Sequence, residues 1–402
     1  MDWLTQYWPF VVVGVLLLLL LARLAIMLPI FRPAPRHSGE RTIRVVGVGG
    51  AGGNAINQMI RAKQRGVDYI TVNTDAQVLE ESLAPKQVQI GEQLTQGLGA
   101  GGDAAVGRQA AEEDADEIGR ALEGSDLVFI AAGLGGGTGS GAAPVIAEQA
   151  RAAGALTVAV VTKPFSFEGT ARRRVAEAAA VDLHAAVDTL LLIENDRVTN
   201  VIADDTSMLD AFRVVNEVLG QTVRAVVDIM TVPGLINLDF ADVRTIMRGG
   251  GLALTGIGWA HGSDRAIEAA RQAVGNPLLD HDLRGAGAIL LNVAGASGMT
   301  MREVTQAAEE IRAAADPDAT IIFGAIFDDR LRDDLRVTVI ATRFADQVPG
   351  RPATDSGSKR ASRSRQAGAR PARPSLGALD AGGRLDPGSR LDDLVVPTEG
   401  TS

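Results

Sequence analysis

Residues 133–141 read Gly-Leu-Gly-Gly-Gly-Thr-Gly-Ser-Gly. An apolar run before them, Leu127–Ala132, has the length of a buried strand, and Ala142–Ala153 after them reads as a helix. Six glycines in nine residues do not suit a core element, because each loses backbone entropy on folding. A glycine nest between strand and helix suits a polyphosphate, whose oxygens accept from closely approaching backbone N–H groups. The hydroxyls of Thr138 and Ser140 add further donors. This is not a Walker loop, which needs a lysine beside its last glycine. The four lysines of the chain (Lys63, Lys86, Lys163 and Lys359) all lie elsewhere.

Upstream, Gly47-Val-Gly-Gly-Ala-Gly-Gly-Asn54 follows a strand, Ile43–Gly47, and opens a helix, Asn54–Gln64. It satisfies G-x-G-x-x-G. By itself it fits a dinucleotide-binding Rossmann unit with Asp75 as the acid after the second strand, or tight strand–helix packing with no ligand. Two phosphate-cradling loops on one sheet suit a nucleoside triphosphate better than NAD. Around them the pattern alternates, with strands at Asp68–Asn73, Leu156–Thr162 and Thr189–Ile193 and a helix at Glu112–Leu122. Such alternation predicts a doubly wound parallel sheet. One long helix is predicted over Leu209–Met230, opening after Ser207 and stopping before Pro233-Gly234. A second α/β segment follows, with helices at Ser263–Val274 and Met301–Ala314. Its strands are at Gly287–Val293, Thr320–Ile326 and Leu335–Ala341.

Composition narrows the chemistry. The absence of Cys excludes disulfides, thiolate nucleophiles and zinc–thiolate or iron–sulfur sites. The four histidines (His37, His184, His261 and His281) form no metal-ligand pattern, so no side chain is assigned as a metal ligand. Aromatics are only 4 %, which leaves the core to Ala, Val, Leu and Ile. A net charge of −10 argues against nucleic acid as a partner. The charge is uneven: residues 351–373 carry seven basic side chains against Asp355 alone.

The N-terminus reads as a membrane anchor. Pro9–Phe31 is apolar apart from Arg23, and as a helix it spans about 34 Å, enough for a hydrocarbon core of about 30 Å. Trp3, Tyr7 and Trp8 flank one end. Asp2 is the only charge before the span, whereas Arg32, Arg36, Arg41 and Arg44 follow it, which places the C-terminal body in the cytoplasm. A cleaved signal peptide is the rival reading, but it wants a basic start and a small-residue cleavage site.

Taken together, the motifs resemble the tubulin/FtsZ family. Gly135–Gly141 is similar to the family's G-G-G-T-G-T-G. V-N-T-D-A-Q at Val72–Gln77, V-V-T-K-P-F at Val160–Phe165, F-E-G at Phe167–Gly169 and N-L-D-F-A-D-V-R at Asn237–Arg244 match as well. The resemblance runs from about Ile43 to Thr342, roughly three quarters of the chain. It implies a tubulin/FtsZ-like α/β fold: a doubly wound parallel-sheet GTPase domain, a long central helix and a smaller second α/β domain, here preceded by one transmembrane helix. The expected organisation is anchor and linker at 1–40, GTP-binding domain at 41–208, central helix at 209–232 and C-terminal α/β domain at 233–345. A disordered basic linker at 346–390 and a tail peptide at 391–402 complete it.

The resemblance also implies roles. Gly50, Ala51, Gly52, Gly53 and Asn54 approach the nucleotide phosphates, with Gly49 at the tight turn. Gly137, Thr138 and Gly139 cradle the β- and γ-phosphates, and Gly99–Gly102 senses the γ-phosphate. Glu168 and Arg172 contact the ribose region. Asn195 and Asn216, with Glu217 beside the latter, read the guanine edge, where an amide offers both a donor and an acceptor; helix or turn capping is the alternative for both asparagines. For hydrolysis, Asp239 and Asp242 lie three apart at the start of a helix and are the carboxylates available to orient water. Acids complementing a helix dipole are the alternative for them. In FtsZ-like proteins that loop, with Asn237, completes the site of the next subunit, so hydrolysis is coupled to head-to-tail assembly. The expected cofactors are GTP/GDP with Mg²⁺ on the phosphates. The expected partners are further copies of the chain, the inner membrane through residues 9–31, and another FtsZ or division proteins through the tail. The expected location is the division site.

This chain departs from the family at several points. Glu217 replaces the usual Asp, and Glu194 the usual Pro of I-P-N. Gly101-Gly-Asp-Ala-Ala105 replaces A-N-P-E. The tail L-D-D-L-V-V-P is only faintly similar to the family's adaptor-binding peptide. Two other functions stay open: a membrane-anchored paralogue that binds GTP and regulates another filament with little hydrolysis, and an NAD-dependent oxidoreductase, for which no proton relay is found.

Overall fold

Alternate residues of β1 (Ile43–Val48) enter opposite apolar layers: Ile43 and Val45 on one side, Val46 and Val48 on the other. A strand apolar on both faces needs cover on both, and this requirement sets the architecture. The computed structural model describes residues 41–64, 66–199, 205–232, 234–236, 238–276 and 283–344. The anchor Pro9–Phe31, the linker 346–390, the tail 391–402, Pro233 and Asn237 lie outside the described residues. Among the described residues no helix is long and apolar enough to cross a membrane.

From β1 the chain enters α1 (Gly49–Arg61), β2 (Asp68–Asn73), α2 (Ala76–Glu80), β3 (Lys86–Gln89) and α3 (Glu92–Thr95). Next come α4 (Ala104–Glu113), α5 (Ala115–Leu122), β4 (Leu127–Gly133), α6 (Gly137–Ala152) and β5 (Leu156–Lys163). A 3-10 turn at Ser166–Glu168 leads into α7 (Thr170–Ala186), β6 (Thr189–Glu194) and α8 (Asn195–Val198). The long α9 (Met208–Thr231) is followed by β7 (Gly234–Ile236), α10 (Phe240–Met247), β8 (Gly251–His261) and α11 (Arg265–Val274). The last elements are β9 (Ala286–Gly295), α12 (Met301–Ala314), β10 (Thr320–Phe327) and β11 (Asp334–Phe344).

The eleven strands among the described residues form one sheet, in the order β3-β2-β1-β4-β5-β6-β8-β11-β9-β10-β7. From β3 to β8 neighbouring strands are parallel. One face carries α4 to α7; the other carries α1, α9 and α10. The sheet is therefore doubly wound as predicted. The second α/β segment is not a separate sheet, because Thr189–Leu191 pairs in parallel with Gly251–Ala253. It is also mixed: β11 runs antiparallel to both β8 and β9. The core holds many alanines and β-branched residues, with Phe129 and Phe165 as its largest fully buried side chains.

Two helices begin earlier than their periodicity indicates, α6 at Gly137 and α1 at Gly49. Their first-turn glycines are partly core, which corrects the expectation drawn from their entropy. A Cβ on Gly141 would lie 2.1 Å from the Ala104 carbonyl oxygen, and one on Gly107 2.3 Å from that of Gly137. Helices α4 and α6 thus touch backbone to backbone. Two long elements, α7 and β8, have no clear period: α7 is rich in alanine, and β8 is interrupted by Gly256 and Gly258. A Cβ on Gly258 would lie 2.0 Å from the carbonyl oxygen of Ala269 on α11, so this glycine too is a packing residue.

Candidate functional site

Parallel strands bring the N-termini of α1 and α6 to the same edge of the sheet. A cleft of about 280 Å³ opens there, close to the lower end of ordinary small-molecule pockets at ~300 Å³. Neither helix has a side-chain cap at its start, Val48 or Gly136, and neither has an acid in its first turn. Elsewhere Asp75, Asp103, Ser207, Asp239 and Thr300 supply such caps. Two uncapped helix starts side by side present backbone donors and two positive dipole ends, a ready site for anionic oxygens.

The glycines of the two loops divide into two sets. Gly50 and Gly136 line the cleft, and a Cβ on either would meet nothing within 4 Å. Gly49 holds the turn at φ +69°. Gly52 is buried, with a Cβ there lying 2.2 Å from the Ala131 carbonyl oxygen, so it packs α1 on β4. Of the first-loop residues predicted at the phosphates, Gly50 and Ala51 line the cleft, whereas Gly52, Gly53 and Asn54 do not. Gly137, Thr138 and Gly139 all line it. The Thr138 hydroxyl lies 2.7 Å from that of Thr74, at the end of β2. Ser140 Oγ is already taken, accepting from Gly135 N at 2.8 Å; this fixes the loop rather than a ligand.

At the other end Asn195 opens α8, and Asn216 lies within α9 one turn after Phe212; all three line the cleft. Asn195 is 4 % exposed and its Oδ1 has no partner. The N-cap of α8 is Glu194 and Asn216 is mid-helix, so capping explains neither asparagine. Glu217 does not line the cleft. Phe212 packs edge-on against Phe165, at 5.3 Å between ring centroids. Glu194 lies 3.1 Å from Lys163 and 3.6 Å from Arg197, tying α8 to the end of β5.

Glu168 and Arg172 line the middle of the cleft, and each holds the other. Glu168 accepts from Phe165 N at 2.8 Å and from Arg172 Nη1 at 2.7 Å. Among the described lining residues it is the only carboxylate. Gly99–Gly102 does not line the cleft; Ala100 packs beneath Gly137, and Asp103 caps α4. Asp75, the acid a dinucleotide fold would place on a ribose, instead caps α2 by accepting from Gln77 N and Val78 N.

Asp239 and Asp242 do not reach this cleft. They form a reciprocal capping box on α10: Asp239 accepts from Asp242 N at 2.9 Å, and Asp242 from Asp239 N at 3.2 Å. Asp239 is exposed and Asp242 half-buried. In the single chain these acids therefore act as helix caps, in keeping with the dipole alternative.

The cleft fits a purine nucleotide. Its uncapped helix starts suit phosphates, Phe212 offers an aromatic face, and the orphaned Asn195 acceptor suits a base-edge donor. Among the described residues no group of three or more His, Cys, Asp or Glu side chains can hold a metal. A Mg²⁺ ion there would take its ligands mainly from phosphates and water, as Mg²⁺ at nucleotide sites commonly does. Lining residues to which sequence reading gave no site role include Val48, Thr162, Pro164, Phe212 and Val215. Phe212 was accessible in principle, since it lies four residues before Asn216 on one helical face.

Comparison with known proteins agrees with this geometry. The Tubulin/FtsZ family GTPase domain matches residues 42–203, and the FtsZ family C-terminal domain matches residues 251–345. The cell division protein FtsZ of Magnetospirillum gryphiswaldense is 49 % identical over 323 residues, covering 80 % of this chain. The chain spans only 58 % of that relative's length. Among solved structures, a tryptophan-to-tyrosine mutant of FtsZ from M. jannaschii is 44 % identical with a TM-score of 0.73, over 76 % of this chain and 92 % of that one. A GTPγS-bound protofilament of CetZ2 from Haloferax volcanii is 26 % identical with a TM-score of 0.65, over 76 % of this chain and 95 % of that one.

Proposed function

The chain belongs to the tubulin/FtsZ family, and from that premise we propose that it binds GTP in the cleft, stacks head to tail into division filaments, and hydrolyses GTP between subunits. One observation carries this reading. The cleft has phosphate donors at one end and base-reading groups at the other, yet the one carboxylate among its described lining residues is already bonded twice, while Asp239 and Asp242 stand elsewhere on the same chain. A second copy is the natural source of the missing acids, and the relative solved as a nucleotide-bound protofilament supports such stacking.

In this scheme the N–H groups at the starts of α1 and α6, including those of Gly50, Gly137, Thr138 and Gly139, hold the phosphate oxygens. Asn195 and Asn216 read the guanine edge and Phe212 covers the ring. Arg172, aligned by Glu168, faces the ribose side. Asp239 and Asp242 of the neighbouring subunit, with Asn237, orient and polarise the attacking water. Mg²⁺ supplies charge neutralisation on the phosphates when bound. The sequence supports a single-pass anchor through residues 9–31 that keeps the filament on the inner membrane with the GTPase body in the cytoplasm.

The test is GTP turnover per subunit against protein concentration, with filaments followed by light scattering. Turnover should be near zero in dilute solution and rise steeply where scattering begins. Constant turnover per subunit down to the lowest concentration would overturn the proposal.

A further inference from the structure

A second cavity, sharing no residue with the nucleotide cleft, lies between α9 and the strands β8 and β11. It measures about 20 Å³, room for one water-sized species. The helix supplies Gln221 and Arg224, and the sheet supplies Trp259, Arg336 and Thr338. Arg336 and Thr338 point the same way because they are two apart on a strand.

The charges around it do not balance. Asp228, 5 % exposed, is shared by two guanidinium groups: Arg336 Nη2 donates to its Oδ2 at 3.2 Å, and Arg224 Nε lies 3.4 Å from the same oxygen without hydrogen-bond geometry. The next acid, Asp328, is occupied by Arg330 through bonds of 2.7 and 2.8 Å. The Tyr69 hydroxyl is buried without a partner, and burial pushes its pKa up, so it supplies no negative charge. Among these described groups three arginines face two carboxylates. Arg336 Nε and Thr338 Oγ1 are buried without partners as well. Burial lowers the pKa of Arg224; Asp228 offsets this in part, and the like charge of Arg336 adds to it.

Guanidinium groups have donors only, so they leave an acceptor-shaped gap. Water in the gap satisfies donors but not charge, and an uncompensated buried charge is expensive. We propose that this cavity binds one monovalent anion of halide size, such as chloride, held by Arg224, Arg336 and Thr338. The anion bridges α9 to the C-terminal half of the sheet. One surplus positive charge calls for one negative charge, which a halide ion supplies and a sulfate dianion exceeds.

Two measurements on the full chain test this. Thermal melts at constant ionic strength should show a saturable rise of a few degrees when chloride or bromide replaces gluconate, and none with sulfate. Arg224→Met, which removes the surplus charge and keeps the stem, should abolish that halide response. Bromide-soaked crystals of the unaltered protein should give an anomalous peak between Arg224 and Arg336, so the proposal stays testable even if the variant does not fold. Water alone in the cavity, together with identical melts in chloride and gluconate, would overturn it.

Discussion

Adding a methyl group at Gly52 and at Gly50 should separate packing from ligand approach within one helical turn. In Gly52→Ala the new Cβ would lie 2.2 Å from the Ala131 carbonyl oxygen and 2.9 Å from the carbonyl carbon of Gly47, where ordinary contact begins at 3.4 Å. Each neighbour is backbone and has no rotamer to change, so α1 and β4 must part by about 1.2 Å, the shortfall from ordinary contact. Overpacking of this kind costs typically 1–3 kcal/mol, and the upper end applies where backbone must move. The better helix propensity of alanine offsets at most about 1 kcal/mol. A net loss of about 2 kcal/mol corresponds to a melting temperature lower by about 4–8 °C. Gly50→Ala adds a methyl group that meets nothing within 4 Å, so the melting temperature without nucleotide should hold or rise slightly. That methyl stands where a phosphate oxygen would approach, and GDP affinity should fall at least about tenfold, equivalent to ~1.4 kcal/mol. Calorimetric melts without nucleotide and titration with a fluorescent GDP analogue read the two effects separately. Unchanged melting in Gly52→Ala, or unchanged GDP affinity in Gly50→Ala, would refute this division of the glycines.

Asp239→Asn keeps a good N-cap, since Asn and Asp cap almost equally, so the melt should be preserved while GTP turnover above the assembly threshold falls about 10²-fold or more. Nucleotide affinity measured on the dilute variant should be unaffected. Asn195→Ala removes an acceptor that has no partner in the unliganded chain, so stability should stay the same while selectivity for GTP over ATP drops, as competition binding would reveal. Acid sensitivity should follow Glu303 and Asp328. Burial alone would raise the pKa of each, but hydrogen bonds outweigh it: Arg265 and Thr300 hold Glu303 below its ordinary value, and Arg330 does so for Asp328. A lowered folded pKa means stability that is present above the unfolded value and lost as pH falls through the folded one, in the range below about pH 4. Urea melts at pH 5 and pH 3 should show that loss, with a flatter dependence in Glu303→Gln.

Local pattern makes much of this protein legible in its sequence. Strand–helix alternation and the two glycine loops placed a phosphate site at the edge of a parallel sheet, and α12 was predicted to the residue as Met301–Ala314. The asparagines that line the far end of the cleft, Asn195 and Asn216, were also named from sequence, through the family resemblance, although their neighbours Glu194 and Glu217 depart from its pattern. These features are legible because side-chain period and motif are properties of neighbouring residues. The tertiary structure decided what depends on distant backbone. It assigned Gly52 and Gly141 to packing and Gly50 and Gly136 to the cleft, a distinction set by what lies within a few ångströms across the fold. It committed Ser140 to Gly135, joined β6 to β8 in one sheet, and placed Asp239 and Asp242 off the cleft of their own chain. A glycine's sequence neighbours do not report which chain segment will press against it, and an aspartate's do not report which subunit's cleft it will face.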